Sequence, residues 1–235
     1  QHIPLDVAST LRTLGEFRGR QELYARQTPQ VLETLKNIAI IQSTESSNRI
    51  EGIVVPEKRL QELFQSNIKP INRPEEEVLG YRDVLSFIHL NYLKIDVDPD
   101  ALLKMHKDIY NYTSLSAGHW KRRDNTIEEK LDNGDWITRF EPVSARQTAY
   151  YVEQLCQLFQ RYTHLGQLEQ LLLIFTFIFD FLCIHPFTDG NGRISRLLTV
   201  LLLHQFGYDV GRYISLERLI EQSKETYYEV LKECS

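Results

Sequence analysis

Twelve residues, HPFTDGNGRISR at 185–196, concentrate most of the reactive chemistry of this chain. His185 has an unperturbed pKa suited to general-base work near neutral pH. Asp189 is a hard oxygen ligand of the kind that holds Mg²⁺ against a polyphosphate. Gly190 and Gly192 can adopt left-handed conformations that turn successive backbone N–H groups to one side. A helix starting here adds its unpaired N–H groups and its dipole, completing an anion cradle. Arg193 and Arg196, three apart, offer forked and permanently charged donors to phosphate oxygens. A base, a metal ligand and an anion hole together point to phosphoryl or nucleotidyl transfer. A glycine turn or a His-Pro pair is commonly structural only, but six coherent residues in one loop outweigh that reading.

The loop must be held by its flanks, LLLIFTFIFDFLCI before it and LLTVLLL after it. The first run is too short to span a bilayer and carries Asp180, so it reads as a buried core helix. Helical periodicity dominates elsewhere. Over 29–50 it places Leu32, Leu35, Ile38 and Ile41 on one core-facing stripe. Pro56 opens a helix with Leu60, Leu63 and Phe64 inward, and Pro74 with three glutamates opens another. Asp98 and Pro99 form an N-cap and first-turn pair. Ser144 and Gln147 fit a capping box for a helix to about Tyr162. Helices follow over about 167–184 and 191–205, the latter stopping before Gly207, and Ser215 caps a last helical region. The exception is 126–140, where Asn133-Gly134 suits a two-residue hairpin turn and Trp136, Ile137 and Phe140 favour a strand. The expected class is all-α with one short β-hairpin.

Composition bounds the rest. The chain has 235 residues, 42% hydrophobic and 25% charged, with a net charge of −5, ordinary for a globular protein. That charge argues against direct nucleic-acid binding. Three widely spaced cysteines suggest neither a disulfide framework nor a zinc site, and a reducing, cytoplasmic setting is expected. No membrane segment or signal peptide is read, and Gln1 in place of Met suggests a trimmed terminus. His89, His106, His119, His164 and His204 lack metal-ligand spacing and read as surface or capping residues.

The loop fits every fixed position of H-P-F-x-D-G-N-G-R-x-x-R, and through it the chain resembles the Fic family. The likeness extends to the preceding helix, the hairpin and SKETYYEVL near the end. It implies a Fic-fold helical bundle with a β-hairpin flap, and transfer of AMP from ATP to a hydroxyl of a target protein. It assigns His185 as base and Asp189 to Mg²⁺. Gly190, Asn191, Gly192 and the loop amides would cradle phosphates, with Arg193 and Arg196 on the β- and γ-phosphates and Phe187 as an inward anchor. Doc-type relatives that phosphorylate carry lysine where this chain has Gly192, so glycine favours AMP transfer, while phosphocholine transfer is not excluded by the loop alone.

A second pattern, [S/T]-x-x-x-E-[G/N], is matched by Ser47, Glu51 and Gly52. Ser47 and Glu51 lie one helical turn apart. The resemblance implies that Glu51 pairs with Arg196 and blocks seating of the γ-phosphate, an autoinhibitory arrangement. The flap residues Ile137, Thr138, Arg139 and Phe140 would dock the target, by strand addition at a free edge, and Tyr227 and Tyr228 would line the adenine and ribose side. Residues 1–95 are read as an N-terminal region with the inhibitory helix, and 96–235 as the catalytic domain with C-terminal helices. Many relatives continue into a winged-helix domain, so a fragment is expected. Self-modification and a homodimer are further expectations. Two other readings keep the same site: AMP removal from a modified protein, and a nucleotide-binding interaction module without transferase activity.

Overall fold

The computed structural model describes residues 3–25, 29–65, 68–130 and 134–234. Among these, ten α-helices and one two-stranded antiparallel sheet follow in chain order. The helices are α1 (Leu5–Ala25), α2 (Pro29–Ile50), α3 (Glu57–Gln65), α4 (Arg73–Asn91) and α5 (Pro99–Ile109). After strands β1 (Ile127–Lys130) and β2 (Trp136–Phe140) come α6 (Ala145–Leu165), α7 (Gln170–Ile184), α8 (Asn191–Gln205), α9 (Leu216–Gln222) and α10 (Lys224–Cys234). The all-α class with one hairpin is what the sequence leads one to expect. No helix among the described residues is long and apolar enough to cross a membrane.

Helix α8 is the axis of the fold, touching α2, α4, α5 and α7. Its Ile194, Leu197, Leu198, Leu201 and Leu202 are at most 1% exposed, each stabilising the fold by about 1.5–3 kcal/mol through removal of apolar surface from water. Because α8 begins at Asn191, this packing fixes the start of the polar loop to the most buried element. Gly80 sets the seat of α4 on α5, since a Cβ there would collide with the Ile109 carbonyl oxygen. A smaller apolar cluster of Val55, Leu60, Leu63, Val78 and Leu79 lies beneath α3, with Phe64 partly buried against it.

Several local expectations are met where the signal is local. Asp98 accepts from the Ala101 N–H at 2.7 Å and Ser215 from the Arg218 N–H at 3.0 Å, as N-caps do. Others need correction. Leu35 and Ile38 of α2 are exposed, and the face turned inward is Ala39, Ser43, Ser46, Ser47 and Ile50. Small side chains let α2 lie close against α4 and α9, which larger residues on the apolar stripe would prevent. The Ser144 hydroxyl reaches the Gln147 side chain but no backbone N–H, so the capping box does not form. The Ala145 N–H instead donates to Asp124 Oδ1 at 2.6 Å. The register pairs Lys130 with Trp136, and the expected turn at Asn133-Gly134 falls partly outside the described residues, because Asn133 is not among them. Helix α7 is buried on one side only, because Phe175 and Asp180 face outward. His106 and His204 are buried, 5% and 2% exposed, not surface groups.

Candidate active site

The apolar body of α7 ends at Ile184, and His185 follows as its C-cap in the left-handed region at φ 49°. It is the one non-glycine residue at positive φ among those described. Its Nδ1 lies 3.3 Å from the Leu182 carbonyl oxygen. A carbonyl can only accept, so Nδ1 carries the ring proton and Nε2 keeps its lone pair. Burial lowers the His185 pKa from its ordinary value, against the opposing effect of that hydrogen bond. The ring is thereby held in its neutral, basic form.

Gly190 caps α8 at φ 84° without a side-chain cap bond. The opening N–H groups of α8 are therefore left without a capping side chain, as an anion site requires. Gly192 is different from expectation, since it adopts helical backbone and no left-handed turn. Its lack of a Cβ matters because one would collide with the Glu51 carboxylate. The Asn191 side chain is taken up internally: Phe187 N–H donates to its Oδ1 at 2.9 Å and its Nδ2 donates to Phe187 O at 2.8 Å. It holds the loop, and only the backbone at this position remains for a phosphate. Phe187 is fully buried and stacks on the His106 ring at 3.8 Å between centroids. His106 supports the turn from behind, with Nε2 3.1 Å from Asp189 O and the Gly118 N–H donating to Nδ1 at 3.0 Å.

The two arginines are buried, 1% and 3% exposed. Arg193 donates to Glu77 at 2.5 Å and to the Tyr110 hydroxyl at 2.6 Å. Glu77 also accepts from Arg73 at 2.5 Å, so one buried carboxylate joins α4 to α8. Arg196 donates through Nε to Ser47 Oγ at 2.8 Å and through Nη2 to Ser47 O at 2.9 Å and Glu51 Oε1 at 2.8 Å. The pair with Glu51 uses one carboxylate oxygen, and Glu51, just beyond α2, keeps 32% of its side chain exposed. Lys224 of α10 donates to the Ile50 carbonyl at 2.8 Å, tying the end of α2 to the C-terminal helix.

A pocket of about 580 Å³ opens over the loop, a size suited to a small-molecule ligand. Glu51, His185, Asp189, Gly190, Asn191 and Gly192 line it, with Arg139 and Phe140 of the hairpin and Tyr228 of α10. Ser47, Ile137, Thr138, Arg193, Arg196 and Tyr227 do not line it. Asp189 stands at the mouth with 63% of its side chain exposed, 3.7 Å from Arg73 and 3.8 Å from Arg193. Among the described residues no three His, Cys, Asp or Glu side chains are grouped to hold a metal. A lone exposed carboxylate beside an anion hole nonetheless fits Mg²⁺, which takes one or two carboxylates and completes its shell with phosphate and water. Nothing in the sequence marks Glu77, His106 or Tyr110 as a site residue, since each lies some eighty or more positions from its partner in the loop and carries no local signature.

Residues 96–203 match the Fic/DOC family model. The chain is 27% identical over 166 residues to protein adenylyltransferase fic-1 of Caenorhabditis elegans, covering 67% of this chain and 27% of that protein. It is 25% identical over 210 residues to protein adenylyltransferase Fic of Drosophila melanogaster, covering 86% of this chain and 38% of that one. It thus spans well under half the length of these curated relatives. A Fic family protein from Desulfovibrio desulfuricans shares the fold at a TM-score of 0.80 and 20% identity, over 98% of this chain and 67% of that one. A Fic domain containing signaling protein from Bacteroides thetaiotaomicron does so at 0.77 and 21%, over 96% and 81%. The loop and the helical frame agree with these likenesses, and residues 96–203 are the part of the chain that matches a Fic domain.

Proposed function

We propose that this chain is a protein adenylyltransferase that moves AMP from ATP to a hydroxyl side chain of a target protein. The observation that carries this reading is His185, with Nδ1 on the Leu182 carbonyl and Nε2 free, in one pocket with the uncapped start of α8. A target hydroxyl entering beneath the hairpin attacks the α-phosphorus of ATP. Its oxygen forms the new P–O bond, the bond to the β-phosphate oxygen breaks, and pyrophosphate leaves. His185 Nε2 takes the hydroxyl proton. The backbone N–H groups at 191 and 192 and the Arg193 and Arg196 guanidiniums neutralise phosphate charge, while the Gly190 N–H donates to Asp189 Oδ1 at 2.6 Å. Asp189 is the residue that would hold Mg²⁺, which lowers the charge of the polyphosphate when bound. The adenylyltransferase names of the relatives support the same chemistry.

Glu51 restrains this activity in our reading. It holds Arg196 Nη2, and a γ-phosphate seeking the same donors must displace it against like charge. Glu51→Gly should raise AMP incorporation at least about tenfold, equivalent to roughly 1.4 kcal/mol of barrier. His185→Ala in that background should lower it by roughly 10²–10⁴. The measurement is label from the α-phosphate of ATP on the protein itself and in a lysate. Label unaffected by His185→Ala removes the base assignment, and equal activity of Glu51→Gly and the parent reduces Glu51 to a helix-end charge.

A further inference from the structure

The turn that carries His185 is gripped from outside by one short segment. The Lys121 backbone N–H donates to Pro186 O at 2.8 Å. Its ammonium donates to Ile184 O at 3.1 Å and to Asn125 Oδ1 at 2.7 Å. That second bond orients the Asn125 amide, whose Nδ2 faces Phe187 O at 3.2 Å and His185 O at 3.4 Å. Two residues thus supply donors to four successive carbonyls, 184 to 187, across the left-handed His185. A side chain larger than glycine in that conformation costs about 1 kcal/mol or more, and persists only where its surroundings enforce it.

Lys121 is 3% exposed. Burying an ammonium against an amide oxygen and a carbonyl is costly, and burial lowers its pKa from the ordinary lysine value. A cation at the end of α7 is favourable through the helix dipole, but that role is open to an exposed side chain and needs no link through Asn125. The charged groups acting on the His185 ring are Lys121, Glu51 and Asp189. The two carboxylates favour the imidazolium and the ammonium opposes it.

We propose that Lys121, acting with Asn125, is a positioning residue for His185: it locks the strained turn so that the imidazole faces the pocket. This rests on the reading of His185 as the base. Lys121→Met removes the charge at similar length, and Asn125→Ala keeps the charge but frees the turn. Two measurements decide. In the nucleotide-free protein, the His185 ring is titrated by NMR, and its midpoint should rise in Lys121→Met. In the Glu51→Gly background, both variants should lose about tenfold or more in kcat with KM for ATP little changed, as misplacement of a reacting group produces. The acid limb of the pH–rate profile should move upward only for Lys121→Met. An unmoved NMR midpoint and acid limb in Lys121→Met, or a loss confined to KM, overturns the proposal and leaves Lys121 a helix-end cap. If Lys121→Met does not fold, Asn125→Ala decides alone, and unchanged kcat there overturns the clamp. If the parent transfers no AMP, the functional reading fails, while the NMR titration still decides the effect of Lys121 on the ring.

Discussion

At the scale of single residues, the site is an arrangement of buried charges whose partners are as decisive as the motif itself. Arg193 owes its position to Glu77, a carboxylate 3% exposed that also binds Arg73. Glu77→Gln keeps the shape and removes the charge, leaving a buried guanidinium with a neutral acceptor and the Tyr110 hydroxyl. Breaking a buried pair outright costs 3–5 kcal/mol, and the amide retains part of the bonding, so a loss of about 2 kcal/mol is expected in urea unfolding. A change under about 0.5 kcal/mol would show that Glu77 does not anchor Arg193. The motif residues were legible in sequence because their chemistry is contiguous. In the sequence Glu77 is only part of an acid-rich first turn, since nothing in its neighbourhood announces an arginine 116 positions away.

At the scale of elements, caps within four residues were readable and those from afar were not. Asp98 and Ser215 bind N–H groups three positions on, a signal written in adjacent letters. Helix α6 takes its cap from Asp124, 21 positions upstream, while Ser144 only looks the part. Asp124→Ala should therefore cost about 1 kcal/mol, the usual value of a lost N-cap, and Ser144→Ala appreciably less. Thermal unfolding of the two variants checks the order, and the reverse order would restore the local cap. Helix α2 misled for a related reason. Its apolar letters mark one stripe, but close approach to α4 and α9 selects the face with small ones, and closeness between helices is a property of the assembled fold. That same approach brings Ser47 and Glu51 to Arg196.

At the scale of the whole molecule, three histidines are kept neutral by burial, which makes stability depend on pH. His89 is pushed down to about 3, and His106 and His204 to about 4, in each case chiefly by desolvation. His89 Nδ1 lies 3.0 Å from His204 Nε2, so the pair shares one proton between rings. The folded chain binds fewer protons than the unfolded one between these values and about 6.5, so stability is full above pH 6.5 and falls as pH drops. His106 alone should remove about 2 kcal/mol between pH 7 and pH 5. Urea midpoints across that window test this, and a flat profile would contradict the burial of these rings. The order in which the parts come into being has its own consequence. Glu51 stands 145 positions ahead of the Arg196 it binds, and a ribosome makes chains from the N-terminus. Under the proposed restraint, the brake is synthesised first and the arginine it holds arrives later, so a newborn molecule can fold with its restraint in place and need never pass through an unguarded active form.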